Sequence, residues 1–351
     1  MLRRAPRRKP PLGQDRSRAD AQRLPALSTI SSTSSSTALL KRSGHSLRVL
    51  VTGGAGFFGS HVVDALLARG DAVLVVDDLS TGDLANLDKR AVLKIGDVSD
   101  PAALAKALRG ERVDSVVHCA AKTKVVESME KEALYRRVIV DGTRNVLDVS
   151  KTLGASVFVN ISTGGAIYGE TPECAAETAP TAPESNYGRF KAEAERLVDL
   201  SGLTSITLRL ANIYGPRQRK DLEGGVIAIF IGCWKRGEPI TVYGDGSYQR
   251  DYVYVSDVVE GVLVALGGKH RGVYNIGTGV ATSVNDLVSA LTLVLGPPAD
   301  IRSAPARRVE VLRGCVDPSK AARDRLWRPQ ISLADGLRLT AVAEGALAAP
   351  A

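Results

Sequence analysis

Residues 49–61 read VLVTGGAGFFGSH, an apolar run that leads into three glycines spaced three apart. Gly53 permits a tight turn, Gly56 allows a phosphate to approach the backbone, and Gly59 allows the next helix to pack close to the strand. The free N–H groups and positive dipole end of that helix favour an anion. This stretch predicts a strand, a turn and a helix that bind the pyrophosphate of a dinucleotide.

The residues that follow support this prediction. Apolar side chains recur at helical spacing at Val62, Val63, Leu66 and Leu67. The pair Arg69-Gly70 indicates the helix end, and a second apolar run over residues 72–76 ends at Asp77. A carboxylate about 20 positions past the turn accepts hydrogen bonds from an adenosine ribose and repels a 2′-phosphate, which favours NAD. The alternative is that Asp77 only ends a strand.

Charge is distributed unevenly along the 351 residues, whose formal net charge is +8. Residues 1–46 hold ten Lys or Arg and two Asp, so the remainder carries 36 basic and 36 acidic residues. The neutral remainder and the aromatic content of 5% favour no nucleic-acid partner. A chain of this length can bury a large core and form two lobes.

The basic tail over residues 1–46 is Ser-rich and poor in apolar residues, which predicts disorder. Its composition also fits an organelle transit peptide, a dispensable extension or an upstream start-codon artefact. No segment is apolar for the 18 or more residues of a membrane helix, so we expect no membrane partner and a cytoplasmic location. The four cysteines are too far apart for a CxxC site, so we expect reduced thiols and no metal.

Further apolar runs lie at residues 92–95, 113–118, 156–161 and 205–210. Continuous runs that alternate with helical stretches predict a parallel sheet covered on both faces. The expected fold is therefore α/β, with ligands beyond the carboxyl ends of the strands. Asp97 follows one run as either a partner for the adenine amino group or a turn residue.

The segment 186–193, NYGRFKAE, places Tyr187 and Lys191 four apart, on one face of a predicted helix. A phenol titrates near 10 and is a poor base at neutral pH unless its anion is stabilised, which a neighbouring ammonium does. The pair on its own is also typical of a solvated helix face.

Taken together, these motifs identify a resemblance over residues 47–339. The chain resembles extended short-chain dehydrogenases/reductases of the NAD-dependent nucleotide-sugar epimerase/dehydratase group, and most of all UDP-glucose 4-epimerases. The matching motifs are TGGAGFFGSH (52–61), GDVSD (96–100), HCAAKTKVVES (118–128), STGGAIYGE (162–170), YGRFK (187–191), LRLANIYGPRQ (208–218), VYGDGSYQRDYVYVSD (242–257) and YNIGTG (274–279).

The resemblance implies a role for each matched residue. Tyr187 is the expected catalytic base, and Lys191 is expected to hold the nicotinamide ribose and lower the tyrosine pKa. Asn212, Arg250 and Arg307 are expected to bind the nucleotide diphosphate and its ribose. The expected NAD-binding residues are Gly53, Gly56, Phe57, Phe58, Gly59, Asp77, Asp97, Val98, Ala120, Ala121 and Lys191.

Several positions depart from the family pattern. The Ser or Thr usual four residues before Tyr168 is Gly164, and we expect Thr163, or else Ser162, to supply the hydroxyl. The usual Asn is Ile139, which loses a polar contact. The third departure is Thr123 at a lysine slot, with Lys122 and Lys124 beside it. Asp257 lies in the same motif as Arg250, and it either orients neighbouring groups or caps a helix that begins at Val258.

Two relatives of the group are disfavoured. Gly165 and Ala166 stand where 4,6-dehydratases carry an acid pair, so dehydration has no obvious acid or base. GDP-mannose 3,5-epimerases use a cysteine at Ala166, and Cys174 is expected to be a buried small residue instead. The resemblance places Gly314 at a slot that gates the sugar pocket in some 4-epimerases, and we expect a small residue there to leave room for a 2-acetamido group.

The predicted activity is inversion at C4 of a nucleotide sugar through a transient 4-keto sugar, on UDP-glucose, UDP-galactose or their N-acetyl forms. The alternatives are another nucleotide-sugar epimerase, a 4-ketoreductase, or a non-catalytic NAD-binding sensor. We expect a Rossmann-type doubly wound domain over residues 47–215 with a returning segment near 250–275. A smaller C-terminal α/β lobe over 216–345 is expected to bind the nucleotide sugar, and the family resemblance implies a homodimer.

Overall fold

A computed structural model describes residues 46–220, 225–306 and 311–349. Except for Ser46, the predicted tail lies outside the described residues. The strands are β1 Arg48–Thr52, β2 Ala72–Asp77, β3 Val92–Ile95, β4 Ser115–His118, β5 Val157–Thr163, β6 Thr204–Leu210, β7 Asn212–Tyr214, β8 Ile240–Tyr243, β9 Gln249–Tyr254, β10 Gly272–Ile276, β11 Ala281–Ser283, β12 Ile301–Ala304 and β13 Arg313–Gly314.

Helices connect most of these strands. They are α1 Phe57–Arg69, α2 Pro101–Ala107, α3 Val125–Glu130, α4 Glu132–Arg136, α5 Gly142–Thr152, α6 Asn186–Asp199, α7 Val226–Arg236, α8 Val255–Ala265, α9 Val284–Leu295, α10 Ser319–Arg323 and α11 Leu333–Ala343. A π-helical turn, Arg137–Asp141, joins α4 to α5. The predicted end of α1 is confirmed, because Gly70 caps it in the left-handed conformation with φ of 95°.

Seven strands form the main sheet in the order β10-β6-β5-β4-β1-β2-β3, and every neighbouring pair is parallel. The chain therefore winds outward from β1 in both directions, which confirms the predicted α/β class. Neighbouring strands end together, since Thr52 pairs with both Val76 and His118. The crevice between β1 and β4, where the winding reverses, is the place at which such sheets bind ligands.

The core follows from the apolar runs of the sequence. Leu50, Val116 and Phe158 lie on three neighbouring strands and are fully buried in one cluster. Side chains that are covered on both faces of a sheet lose their contact with water, and this burial is the main source of stability.

Smaller pieces of sheet complete the described part of the chain. Strand β9 pairs with β11, β13 and β7, and β8 pairs with β12. Through these pairs, β13 runs parallel to β9 with Gly314 opposite Arg250. Two residues that the sequence singles out, from segments more than 60 positions apart, therefore become neighbours.

One prediction about a helix start is wrong. Helix α8 begins at Val255 rather than Val258, so Asp257 lies inside its first turn and does not cap it. The Asp257 carboxylate accepts hydrogen bonds from the N–H groups of Gln330 and Ile331, at 2.8 and 2.9 Å. It orients a neighbouring segment, which was the other possibility raised by the sequence.

A buried histidine on β4 contacts β1 and the first turn of α5. The two ring nitrogens of His118 lie 2.7 Å from the hydroxyl of Thr52 and 3.1 Å from that of Thr143. The Thr143 hydroxyl in turn donates to the carbonyl of Ile139. Burial lowers the pKa of His118 to about 3, and the nearby charge of Lys191 also lowers it.

This histidine predicts a loss of stability in acid. The unfolded chain takes up a proton near pH 6.5, whereas the folded chain does so only near pH 3. The stability tied to neutral His118 is therefore complete above pH 6.5 and declines as the pH falls toward 3, by up to about 1.4 kcal/mol per pH unit.

The test compares the wild type with His118→Asn, which keeps a polar side chain but does not titrate. Urea unfolding at pH 7, 6, 5 and 4 should show the difference in unfolding free energy between the two proteins shrinking with acidity. Parallel pH profiles would contradict the proposed role of this ring.

Candidate active site

A cavity of about 970 Å³ opens at the carboxyl ends of the central strands. It brings together the described residues that the sequence assigns to catalysis, NAD binding or diphosphate binding, whereas Gly314 is not among the residues that line it. The assigned residues are Gly53, Gly56, Phe57, Phe58, Gly59, Asp77, Asp97, Val98, Ala120, Ala121, Thr163, Tyr187, Lys191, Asn212 and Arg250. Arg307 lies outside the described residues.

The glycine turn has the shape that a dinucleotide needs. Gly53 has φ of 69°, and a Cβ atom there would lie 2.8 Å from the N atom of Ala120. A Cβ atom on Gly59 would lie 2.1 Å from the carbonyl oxygen of Gly53, so only glycine fits. Gly56 is the N-cap residue of α1 and has no side chain to cap it, which leaves the N–H groups of the first turn for an anion. These features fit the pyrophosphate of NAD.

The carboxylate of Asp77 lies at the end of β2, beside this turn. One oxygen accepts the N–H of Ala55 at 2.9 Å and the other accepts the N–H of Leu79 at 2.8 Å. Burial raises the pKa of Asp77, and these two hydrogen bonds oppose the rise. Asp97 also lines the cavity while it accepts the N–H of Ser99 at 2.8 Å, so its turn role is present. Its proposed contact with adenine stays a prediction.

Helix α6 presents Tyr187 and Lys191 to the cavity, as the sequence predicts for a helix start. Ser185 caps the helix by accepting the N–H of Gly188 at 3.2 Å. The Lys191 ammonium donates to the carbonyl of Ile161 on β5 at 2.8 Å. This hydrogen bond holds the buried Lys191 ammonium at the end of β5, on the side of the helix that also carries Tyr187.

Thr163 is the residue whose hydroxyl lies close enough to Tyr187 to lower the pKa of the phenol. Gly164 has no room for a hydroxyl, because a Cβ atom there would lie 2.4 Å from the Val316 side chain. The other possibility raised by the sequence was Ser162, whose hydroxyl donates to Glu195 at 2.5 Å. Packing by Val316 and pairing by Glu195 therefore leave Thr163 next to the tyrosine.

Burial shifts the two titrating groups in opposite directions. It raises the pKa of Tyr187 to about 12, partly offset by the Thr163 hydrogen bond. It lowers the pKa of Lys191 to about 8, partly offset by Cys119 and Glu195. A buried site disfavours both charged forms, the phenolate and the ammonium. The lowering of the tyrosine pKa by Lys191, which the resemblance implies, stays a prediction.

The other side of the cavity contains the described diphosphate-binding candidates. The side-chain oxygen of Asn212 would lie 3.2 Å from a Cβ atom on Gly165. The Arg250 guanidinium donates to the carbonyl of Gln249 at 2.7 Å. Both side chains line the same cavity as Tyr187, at the end that β9 forms.

Part of the wall was missed by the sequence analysis. These lining residues come from α7, β8 and segments near β9, α9 and β13, and they are Ile229, Phe230, Cys233, Thr241, Tyr243, Tyr248, Val284 and Val311. They are apolar or aromatic for the most part, and among them only Tyr243 and Tyr248 fall within a quoted motif, residues 242–257. Only the pairing of distant strands brings them to one surface.

Two of the family departures can be placed. Ile139 packs with Tyr135 and Phe190 in a buried cluster. Its neighbour Val138 places an apolar side chain in the wall of the cavity. At the lysine slot, Thr123 lines the cavity beside Lys122, whose ammonium donates to the hydroxyl of Ser80 at 3.0 Å.

The prediction of four reduced cysteines is wrong. Cys174 and Cys315 form a disulfide with Cα atoms 4.5 Å apart, although 141 positions separate them. A bridge between Ala175 and Val316 brings the two segments together. Cys174 is half-buried and bonded rather than a buried free thiol. Since disulfides persist in oxidising compartments, the pair also weakens the basis of the cytoplasmic prediction.

The described ranges contain neither a metal cluster nor a membrane helix. No group of three or more His, Cys, Asp or Glu side chains there could hold a metal ion. Within the same ranges, no helix combines the length and apolar character needed to cross a membrane.

Comparison with known proteins agrees with this geometry. The model of the NAD dependent epimerase/dehydratase family matches residues 49–277. The chain belongs to this family. The UDP-glucose 4-epimerase of Mycolicibacterium smegmatis is 36% identical over 308 residues, which cover 84% of this chain and 97% of that protein.

Two solved structures are also similar. UDP-glucose 4-epimerase of Thermotoga maritima with UDP-glucose has a TM-score of 0.81 and 39% identity, covering 85% of this chain and 99% of that chain. The UDP-glucose 4-epimerase of Thermus thermophilus in complex with NAD also has a TM-score of 0.81 and 39% identity, covering 86% and 100%. The predicted family and the NAD cofactor are confirmed.

Proposed function

We propose that this protein inverts C4 of a UDP-hexose, interconverting UDP-glucose and UDP-galactose. The observation that carries the proposal is the pairing of the Tyr187 and Thr163 hydroxyls beside Lys191, in the cavity that also contains the glycine turn. The similarity to two UDP-glucose 4-epimerase structures supports the same activity.

In this mechanism the Tyr187 phenolate removes the proton of the sugar 4-hydroxyl. Thr163 donates a hydrogen bond to the same oxygen, and the Lys191 ammonium stabilises the phenolate and binds the nicotinamide ribose. NAD, when bound at the glycine turn, supplies the capacity to accept a hydride from C4 and return it. Tyr187 then gives its proton back to the oxygen of the inverted alcohol.

Inversion requires that the sugar present both faces while the rest of the substrate stays bound. We propose that Asn212, Arg250 and Arg307 hold the nucleotide diphosphate, for which a guanidinium offers a fork of donors. The sugar would then be free to turn about its phosphate linkage and present its other face.

Other activities of the family are less well supported. Gly165 and Ala166 line the cavity and carry neither acid nor base for proton transfer at C5 and C6. A non-catalytic NAD sensor would not need Tyr187, Lys191 and Thr163 to converge. A 4-ketoreductase would consume reduced cofactor, whereas an epimerase retains NAD and needs none added.

The catalytic assignment predicts that Tyr187→Phe lowers kcat by about 10²- to 10⁴-fold, because the general base is lost. Thr163→Val should lower kcat by about 10- to 100-fold, since it removes a hydrogen bond to a charged oxygen, and Thr163→Ser should retain most activity. The measurement is proton NMR of UDP-galactose incubated with purified protein and no added cofactor.

The NAD content after purification is the control, because each variant must still hold the cofactor. An active Tyr187→Phe enzyme with wild-type NAD content would refute the assignment. No turnover by the wild type, with NAD bound, would refute the proposed activity.

The pocket wall also supports turnover of N-acetylated sugars. A Cβ atom on Gly314 would lie 3.4 Å from the Arg250 side chain and 3.7 Å from the carbonyl oxygen of Gly165. Both neighbours line the cavity, so a larger side chain at position 314 would extend toward the sugar.

We therefore expect wild-type protein to act on UDP-N-acetylgalactosamine as well as UDP-galactose. Gly314→Tyr should lower kcat/KM for the acetylated sugar at least about tenfold more than for UDP-galactose, because a lost steric fit costs about 1–3 kcal/mol. Gly314→Ala, which adds only an ordinary contact, is the matched control. Equal losses on both sugars would contradict this account of specificity.

We also propose a homodimer, on the basis of the family resemblance. Within one chain, Arg189 pairs with Glu132 and Arg136 pairs with Glu193, so the outer faces of α4 and α6 carry charges. Sedimentation velocity at low and high salt tests the state, and a monomer at micromolar concentration would exclude the proposal.

A further inference from the structure

A buried carboxylate lies beneath the catalytic helix. Glu195 is on α6, one turn after Lys191, and is 8% exposed. Arg209 on β6, 7% exposed, donates to both of its carboxylate oxygens at 2.6 to 3.2 Å. Ser162 on β5 donates its hydroxyl to the same carboxylate at 2.5 Å. Glu195 therefore connects one helix to two strands of the main sheet.

The network continues away from the active site. Arg209 also donates to the hydroxyl of Tyr168 at 2.9 Å, and its guanidinium lies 4.9 Å from the centre of that ring. The Tyr168 hydroxyl donates to the side-chain oxygen of Asn275 on β10 at 2.8 Å. One end of the network thus reaches the catalytic helix, and the other end reaches the edge strand β10 of the main sheet.

The catalytic hydroxyls belong to the two elements that Glu195 joins. Tyr187 is two turns before Glu195 on α6, and Thr163 directly follows Ser162 on β5. Two polar contacts tie these elements together near the site: Lys191 with the carbonyl of Ile161, and Glu195 with Ser162. The separation between the Tyr187 and Thr163 hydroxyls depends on both.

Stability alone is a weak explanation for this ion pair. Burying two charges costs desolvation free energy that their attraction barely offsets, and apolar replacements are often as stable. A charged pair with fixed donor geometry does, however, hold its elements in one register. Glu195 also favours the ammonium form of Lys191, because its negative charge lies nearby.

We propose that Glu195 is a positioning residue for the reaction: paired with Arg209, it holds the Ser162 end of β5 against α6, so that Thr163 and Tyr187 meet at one substrate oxygen. The inference rests on the proposed function. Glu195 does not touch the substrate in this scheme and positions the two hydroxyls through Ser162 and the helix.

The test uses Ser162→Ala, which breaks the contact between Glu195 and β5 but leaves the Glu195–Arg209 pair intact. Tyr168→Phe is the matched control, because it also removes one buried hydroxyl from the network. That hydroxyl is bonded to Arg209 and makes no contact that joins α6 to β5. We expect Ser162→Ala to lower kcat at least tenfold with KM changed less than twofold and NAD content unchanged. Tyr168→Phe should lower the Tm by a similar amount and leave kcat within twofold of wild type.

Equal kcat for the two variants would overturn the proposal and leave the pair a purely structural one. Glu195→Gln should lower kcat more than Ser162→Ala, but it leaves Arg209 buried without a charged partner and carries a risk of misfolding, so it is a secondary variant. If the wild type turns over no UDP-hexose, the proposed function fails. Crystal structures then decide this inference: the Thr163 hydroxyl should move away from the Tyr187 hydroxyl in Ser162→Ala and keep its wild-type position in Tyr168→Phe.

Discussion

Helix α1 approaches the turn after β1 so closely that one additional carbon atom would prevent the contact. A Cβ atom on Gly59 would lie 2.1 Å from the Gly53 carbonyl oxygen, and one on Gly53 would meet the backbone of Ala120. Because β1 is the strand from which the sheet winds in both directions, this contact places the helix N-terminus in the crevice. The position of Asp77 and the orientation of the cavity follow from it.

A second close contact acts on the sugar side of the same cavity. The Val316 side chain occupies the space that a side chain at Gly164 would need. The Cys174–Cys315 disulfide joins the segment that follows Gly164 to the residue before Val316. The segment after β13 thereby sets the path of the chain beyond Thr163. Because Gly59 and Gly164 lack a Cβ atom, the chain packs closely at both positions. The cofactor-binding turn and the hydroxyls of Thr163 and Tyr187 thus lie at one cavity.

Burial gives the site its electrostatic character. It raises the pKa of Tyr187 and lowers that of Lys191, so the charged forms of both groups are costly without compensation. Compensation comes from fixed partners, which are the Thr163 hydroxyl for the tyrosine and the nearby Glu195 charge for the lysine. Burial strengthens each of these interactions, as catalysis by preorganised charge requires.

Much of the fold was predictable because its signals are local. The glycine spacing, the apolar runs and the Tyr187–Lys191 interval each lie within about a dozen residues, where backbone geometry sets which side chains share a face. The signal for Arg209 was also present, since a charge inside the apolar run 205–210 requires a buried partner. The start of α8 was misplaced because an aspartate near a helix start is typical of a helix cap. In the structure, Asp257 instead binds backbone N–H groups of a distant segment.

The sequence by itself determined the α/β class, the dinucleotide turn and the pairing of Tyr187 with Lys191. Only the tertiary structure decided that Thr163 rather than Ser162 lies beside the tyrosine, and that Cys174 and Cys315 are bonded. The reason is physical: these outcomes depend on contacts between segments that are far apart in sequence, and such contacts leave no periodicity or spacing in the chain.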